Sequence, residues 1–190
     1  MKIDVLDAVL RNQVRFEGAR TLVIDGCRAQ ESPGRATYEV FEIHRADARK
    51  VKKRHVDTLR IIHGWSEAEV WEILRQHGIV PHLAYWLNWS RLSCMACIFL
   101  KSSGYRTLLD YFLSRFRQIE QREAKSGRTI TMGFTVREMA MLGTAYPATA
   151  ARPDLVAIAL DETYRAPVTC DPDLWGLPPG AFGDGSEGPG

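Results

Sequence analysis

Thr21-Leu22-Val23-Ile24-Asp25-Gly26, continuing through Cys27-Arg28-Ala29-Gln30-Glu31-Ser32-Pro33-Gly34-Arg35, is the stretch that decides the fold of this 190-residue chain. Its first four residues are β-branched or aliphatic and show no polar alternation, which predicts a strand covered on both faces. Asp25-Gly26 closes the strand. Upstream, Val5, Val9 and Leu10, with Leu6, Val14 and Phe16 nearby, recur at helical spacing, so residues 4–16 predict a short helix ended by Gly18. A helix, a buried strand and a glycine-containing loop form half of a parallel α/β repeat. Such a loop lies at the carboxyl end of its strand, where open α/β sheets bind ligands.

The chemistry of that loop suits an anion. Arg28 and Arg35 present planar forks of donors matched to phosphate or sulfate oxygens, Ser32 adds a hydroxyl and nearby amides, and Gly26 permits close backbone approach. Glu31 opposes an anion unless it pairs with an arginine. The competing reading is an ordinary β-to-α turn whose arginines are solvated.

Composition narrows the class. Apolar residues make up 45% and charged residues 25%, with a net charge of +2. These values exclude a disordered or collagen-like chain, and the small net charge argues against a dedicated nucleic-acid binder. The basic run Arg49, Lys50, Lys52, Lys53 and Arg54 is the exception; it reads as a solvated face, with nucleic acid as the alternative. The longest apolar stretch, Cys94 to Leu100, is far below the roughly 20 residues of a membrane span. Asp4, Asp7 and Arg11 interrupt the amino-terminal segment, so no signal peptide is expected and the expected compartment is the cytoplasm.

Further along, residues 35–55 predict polar helix and His55 to Ile62 an extended connector. Ser66-Glu67-Ala68-Glu69 is a capping box flanked by Trp65 and Val70, so a helix starts near Glu67, buries Val70, Trp71, Ile73 and Leu74, and ends at Gly78 before Pro81. Leu108, Leu109, Phe112, Phe116 and Ile119 predict a helix over about 105–125, stopped by Gly127. A second capping box, Thr135 to Glu138, opens a helix ending at Gly143, and residues 152–161 suggest one more. The tail from Pro172 is rich in proline and glycine and should be irregular, its last seven residues mobile. The expected organisation is one domain over 1–171, with sheet and anion loop in 1–64, a helical part in 65–171, and a tail at 172–190.

Four cysteines do not make a secreted disulfide framework. Cys94-Met95-Ala96-Cys97 can place two thiolates on one metal or cluster, act as a redox dithiol or sulfur carrier, or pack as free thiols. Two ligands are not four, so a zinc or iron–sulfur site would need Cys27 or Cys170, or a histidine. Of the histidines, His82 is the best placed. Tyr85, Trp86 and Trp89 could stack a base, although packing beside the Cys-x-x-Cys is the plainer reading.

Four blocks, GCRAQESPGRA (26–36), IIHGWSEAEVW (61–71), GIVPHLAYW (78–86) and RLSCMACIF (91–99), resemble in order the carboxyl-terminal half of the phosphoadenosine-phosphosulfate reductase family, within the PP-loop adenine-nucleotide α-hydrolase superfamily. The resemblance implies an α/β fold, a partial PP-loop parallel sheet with a predominantly helical carboxyl-terminal half. It also implies that Arg28, Ser32 and Arg35 contact the phosphate or phosphosulfate end of ATP or phosphoadenosine phosphosulfate. Trp65 and Trp71 match a block better read as packing. The family's Ser-Gly-Gly-x-Asp-Ser loop and its carboxyl-terminal Glu-Cys-Gly nucleophile have no counterpart; Cys170 stands in Thr-Cys-Asp-Pro. The iron–sulfur members pair a Cys-x-x-Cys with an adjacent Cys-Cys that is also missing.

The expected function is therefore adenine-nucleotide binding, with α-phosphate cleavage or sulfur transfer as the implied chemistry, Cys94 or Cys97 as the sulfur or cluster carrier, and a phage or defence-associated setting. A second chain or second copy would complete the site. The rival expectation is a non-enzymatic metal-knuckle module that binds nucleic acid or a protein.

Overall fold

The computed structural model describes residues 2–92, 94–131, 133–161 and 163–183. The chain divides into two compact units, one up to Glu69 and one from Val70 onward. The expected mobility of residues 184–190 falls outside the described residues.

The first unit contains helix α1 (Lys2–Asn12), strand β1 (Arg20–Ile24), a one-turn helix α2 (Pro33–Ala36), and strands β2 (Phe41–Ile43) and β3 (His55–Leu59). The strand order is β1-β3-β2. β1 runs parallel to β3, with Thr21 opposite Val56 and Val23 opposite Thr58, whereas β2 is antiparallel, with Phe41 opposite Leu59. Leu10 of α1 packs with Ala46, Val56, Phe16 and Val23 to form this unit's core. A small mixed sheet with one parallel pair is the α/β arrangement the sequence predicts.

Three local expectations are corrected. β1 is not covered on both faces: Leu22 and Ile24 are 49% and 65% exposed, and Phe41 and Ile43 of β2 are 58% and 61% exposed. The register puts these four residues on the sheet face opposite the Leu10–Val23–Val56 core. An unbroken apolar run records which residues can be buried; it does not say that a covering element is present. Residues 35–55 are not a long helix, because they contain the strand β2. Its alternation of Phe41, Glu42 and Ile43 covers too few residues to outweigh the surrounding polarity, and pairing with β3 supplies what propensity does not. Finally, the connector from His55 is itself the central strand β3 as far as Leu59.

The loop between β2 and β3 is organised by Asp47. Its carboxylate accepts the amides of Val56 (2.8 Å) and Arg49 (3.1 Å) and the Arg49 Nε–H (2.9 Å). Arg49 reaches Asp57 as well (2.5 Å). Arg54 is buried and donates to the carbonyls of Ala46 and Arg11, both at 3.0 Å. Two of the five cations of the basic run are thereby committed to internal partners, while Lys50, Lys52 and Lys53 remain exposed.

Helix α3 (Glu67–Gln76) begins where the capping box predicts. Ser66 Oγ accepts the Glu69 amide (3.2 Å), and the Glu69 carboxylate accepts from the Ser66 amide (2.7 Å). Gly78 ends it with φ +58°. Any side chain at Gly78 would also collide with the Cys170 carbonyl, whose residue donates its amide to the Gly78 carbonyl at 2.8 Å. Trp71 is buried, edge-on to Tyr85 at 5.0 Å, in the packing role expected of it, while Ile73 is largely exposed.

In the second unit the described helices after α3 are α4 (Leu83–Trp86), α5 (Ser102–Tyr111), α6 (Leu113–Ser126), α7 (Val136–Met141), α8 (Pro147–Ala150) and α9 (Pro153–Leu160). The single helix expected over 105–125 is divided at Phe112, whose backbone (φ −131°, ψ 47°) leaves the helical region. No proline or glycine marks the break. Phe112 and Phe116 are both fully buried, and Phe112 meets Trp89 edge-on at 5.8 Å, so tertiary packing rather than local propensity sets the division. Thr135 and Glu138 close the second capping box, and α9 matches the last predicted helix. Apart from a short 3₁₀ turn at Pro172–Leu174, the described tail is irregular. Among the described residues no helix is long and apolar enough to cross a membrane.

Tyr105 lies at the centre of this unit with no exposed surface and donates its hydroxyl to the Cys97 carbonyl at 3.0 Å. Burial pushes its phenol up to about 12, and negative charge on Cys97, Glu123 and Cys94 adds to the effect. The folded state thus holds a proton that the unfolded chain releases near pH ~10. This contribution to stability is complete below pH ~10 and is lost as pH rises toward 12, at about 2–3 kcal/mol in all. Chemical denaturation from pH 9 to 12 should show this loss in the native sequence and a flatter profile in Tyr105→Phe; parallel profiles would contradict it.

Candidate functional site

The loop from Asp25 to Ala36 leaves the carboxyl end of β1 and runs beside the segment 60–66 that leaves the carboxyl end of β3. Hydrogen bonds from backbone and side chains sew the two together. The Ala29 amide donates to the His63 carbonyl (2.9 Å), and His63 Nε2 lies 2.9 Å from the Arg35 carbonyl. Gln30 makes the third stitch: its side-chain carbonyl accepts both the Glu67 amide at the start of α3 (2.8 Å) and the Arg28 guanidinium (3.1 Å). Asp25 turns the chain by accepting the Cys27 amide at 3.1 Å. Parallel strands present their carboxyl ends on one edge, so both loops necessarily meet there.

Three of the four residues expected to bind phosphate come together in this loop. Ser32 caps α2, its Oγ accepting the Arg35 amide at 3.3 Å. Arg28 and Arg35 converge on one carboxylate. Arg28 Nε lies 3.7 Å from Glu31 Oε1, and Arg35 Nη1 is ion-paired with the other oxygen, Oε2. The Arg28 side chain is 12% exposed and that of Arg35 44%. Glu31 therefore occupies the position that an exogenous anion between the two guanidinium groups would take. A second acid, Glu67, stands 4.0 Å from Arg28.

The fourth residue, Gly26, has no comparable part. A Cβ there would meet nothing nearer than the Ile62 side chain at 3.9 Å, an ordinary contact. The backbone at Gly26 is thus not crowded by the protein's own atoms.

Arg60 is a residue the sequence analysis did not single out. It follows β3 directly and is 8% exposed. Its guanidinium donates to the Glu39 carbonyl and to Glu42, both at 2.6 Å, and lies over the Tyr38 ring at 4.7 Å. Its Nε lies 3.7 Å from the Asp25 carboxylate and makes no hydrogen bond among the described residues. Its place directly after a strand is the signal in the sequence, and that strand is too short and polar to declare itself.

The cysteines show a different geometry. Cys94 is exposed, Cys97 half-buried, and both are free thiols. The turn between them is pinned by its backbone: Trp89 Nε1 donates to the Met95 carbonyl (3.1 Å) and Tyr105 to the Cys97 carbonyl. Among the described residues no group of three or more His, Cys, Asp or Glu side chains could hold a metal ion. A donor set of two thiols does not fit zinc or an iron–sulfur cluster, so the further ligation expected from Cys27 or His82 is not met. His82 instead caps α4, its Nδ1 accepting the Ala84 amide at 3.2 Å. Trp89 is buried against Phe112 and Tyr146, which makes it a core residue rather than a stacking platform.

The first unit is thus an α/β arrangement in which the carboxyl edge of a parallel strand pair carries two arginines paired with one carboxylate. Residues 1–99, just over half of the chain, match the profile of the phosphoadenosine phosphosulfate reductase domain, and the chain belongs to that family. It is also similar to an uncharacterized 37.8 kDa protein encoded in the gpa 5′ region of Escherichia phage 186, being 38% identical over 78 residues. That alignment covers 41% of this chain and 22% of the phage protein, so the match spans about a fifth of the relative's length. No solved structure matches.

Proposed function

We propose that the chain binds an adenine nucleotide through its phosphate or phosphosulfate end, with Arg28 and Arg35 as charge partners and the Ser32 hydroxyl as an additional donor. One observation carries this reading. Two guanidinium groups from one loop, at the carboxyl edge of a parallel strand pair, meet on a single carboxylate that a more highly charged phosphate can displace. Membership of the phosphoadenosine phosphosulfate reductase family favours an adenine nucleotide over other phosphorylated ligands.

A partner chain that carried the family's Ser-Gly-Gly-x-Asp-Ser loop would complete the site. The family's Ser-Gly-Gly-x-Asp-Ser loop does not occur in the sequence. The exposed sheet face of Leu22, Ile24, Phe41 and Ile43 would offer such a partner an apolar surface, because parallel strands are normally covered on both sides. In the completed site the two arginines would stabilise charge developing on oxygens around the α-phosphate. Thiol-driven reduction is not part of this proposal: Cys170 lacks the Glu-Cys-Gly setting, and its backbone is engaged with Gly78.

Calorimetric titration with ATP and with phosphoadenosine phosphosulfate tests the reading. The native sequence should bind at least one of them, and the double variant Arg28→Ala/Arg35→Ala should weaken that binding by about tenfold or more. Unchanged affinity in a double variant with native circular dichroism would refute it.

A further inference from the structure

The first unit carries a second charged surface, at the edge of its sheet opposite the anion loop. β1 and β3 are parallel, so both begin at that edge: Arg20 and His55 are their first residues and lie side by side in the register. The His55 amide donates to the Ala19 carbonyl (3.2 Å), and Arg54 Nη1 donates to the Arg11 carbonyl (3.0 Å). These bonds bring the carboxyl end of α1, the turn after it and the end of the β2–β3 loop together. Strands of five residues, about 15 Å long, separate this edge from the anion loop.

The β2–β3 loop sorts its cations into two sets. Arg49 turns inward to Asp47 and Asp57, and the buried Arg54 to backbone carbonyls. Between them the Ala48 carbonyl accepts the amides of Val51 (3.1 Å) and Lys52 (2.8 Å), and Ala48 pairs with Arg54, so a single tight turn forms the tip. Lys50, Lys52 and Lys53 stand exposed on that tip, above a base fixed by Asp47 and Arg54. Together with Arg15 and Arg20 they are exposed cations that form no ion pair among the described residues. The neighbouring acids are consumed, Asp4 and Asp7 by Arg45 and Asp47 and Asp57 by Arg49, which leaves Glu17 as the exposed counter-charge at this edge. The net charge of +2 averages over the whole chain, whereas a polyanion responds to this local excess. Such binding needs no exact convergence of side chains, because counterion release supplies the affinity.

The surrounding residues choose among polyanions. Single strands are held by exposed aromatic rings on which bases stack, and anionic bilayers by aromatic and leucine side chains that enter the interface. The exposed tyrosine and phenylalanine of this unit, Tyr38 and Phe41, lie at the other edge, beside Arg60 and Leu59. Phe16, at the basic edge, packs against the unit's core and carries the Arg15 guanidinium over its ring at 4.7 Å. Val14 and Val51 are exposed there, and both are too small to anchor a bilayer.

We infer that this edge binds the phosphate backbone of a nucleic-acid duplex, with Lys50, Lys52, Lys53, Arg15 and Arg20 as the phosphate contacts and no base readout. The surface is independent of the proposed nucleotide loop.

Fluorescence anisotropy of short labelled duplexes titrated with the full chain tests this, a DNA and an RNA duplex distinguishing the two sources of such a backbone. At least one should bind irrespective of its sequence, and log affinity should fall against log salt, from about 50 to 200 mM, with a slope of roughly −3 to −4.5, as neutralising about three to five phosphates requires. Lys50→Gln/Lys52→Gln/Lys53→Gln should weaken binding about tenfold or more at low salt and make the slope shallower by about 2 to 3. Arg15→Gln/Arg20→Gln should make it shallower by about 1 to 2. Arg28→Ala/Arg35→Ala should leave duplex binding unchanged, so failure of this surface and failure of the nucleotide reading are separable. No binding at the lowest salt, a salt-independent affinity, native affinity in the folded triple lysine variant, or tighter binding to the corresponding single strand or to phosphatidylserine vesicles would each overturn the assignment.

Discussion

Glu31→Gln should bind ATP or phosphoadenosine phosphosulfate about tenfold more tightly than the native sequence in calorimetric titration at low salt. The carboxylate of Glu31 engages Arg28 on one oxygen and Arg35 on the other, so an incoming phosphate must first break both ion pairs. These side chains are partly solvated, and each such pair is worth up to about 1 kcal/mol; losing two of them converts to roughly tenfold in affinity or somewhat more. Glutamine keeps the size and shape of the side chain while removing the charge that competes with, and repels, the ligand. The gain should shrink as ionic strength rises, because partly exposed pairs are screened. If Glu31→Gln binds no better than the native sequence, the anion does not sit between these two arginines.

Phe116→Ala is the second large expectation, a loss of about 3–5 kcal/mol in the stability of the second unit. Phe116 is fully buried, belongs to the unit's main apolar cluster, and carries the Arg137 guanidinium over its ring at 5.6 Å. Its removal combines lost transfer energy with an unfilled cavity between α6 and its neighbours, which a close-packed interior relieves only in part. Thermal unfolding should shift downward by on the order of 10 °C or more. Phe116→Leu, which leaves a smaller void, should lose less than half as much. A loss below about 1 kcal/mol for the alanine variant would mean that this packing does not hold the unit together.

Several elements were legible because their signals are local. Both capping boxes appear as predicted, since a hydroxyl and a carboxylate three residues apart satisfy amides within one turn. The left-handed ends at Gly78 and Gly127 follow from the same short-range logic. The pairing of Glu31 with an arginine was legible too, since Arg28 and Arg35 stand three and four residues from it in the loop after β1. Arg60 carries no such local signal, because its environment comes from Tyr38 and Glu39 before β2 and from Glu42 within it.

By itself the sequence determined where the capped helices α3 and α7 start, where Gly78 and Gly127 stop α3 and α6, and which loop gathers Arg28, Glu31 and Arg35, because these depend on groups within a few positions of one another. Only the tertiary structure decided that β3 is the central strand, that the long helix divides at Phe112, that one apolar sheet face stays uncovered, and that Cys94 and Cys97 gain no further metal ligand among the described residues. Each of those outcomes turns on a partner distant in the chain, or on the absence of one. A periodic pattern states what a segment would bury, not what arrives to bury it.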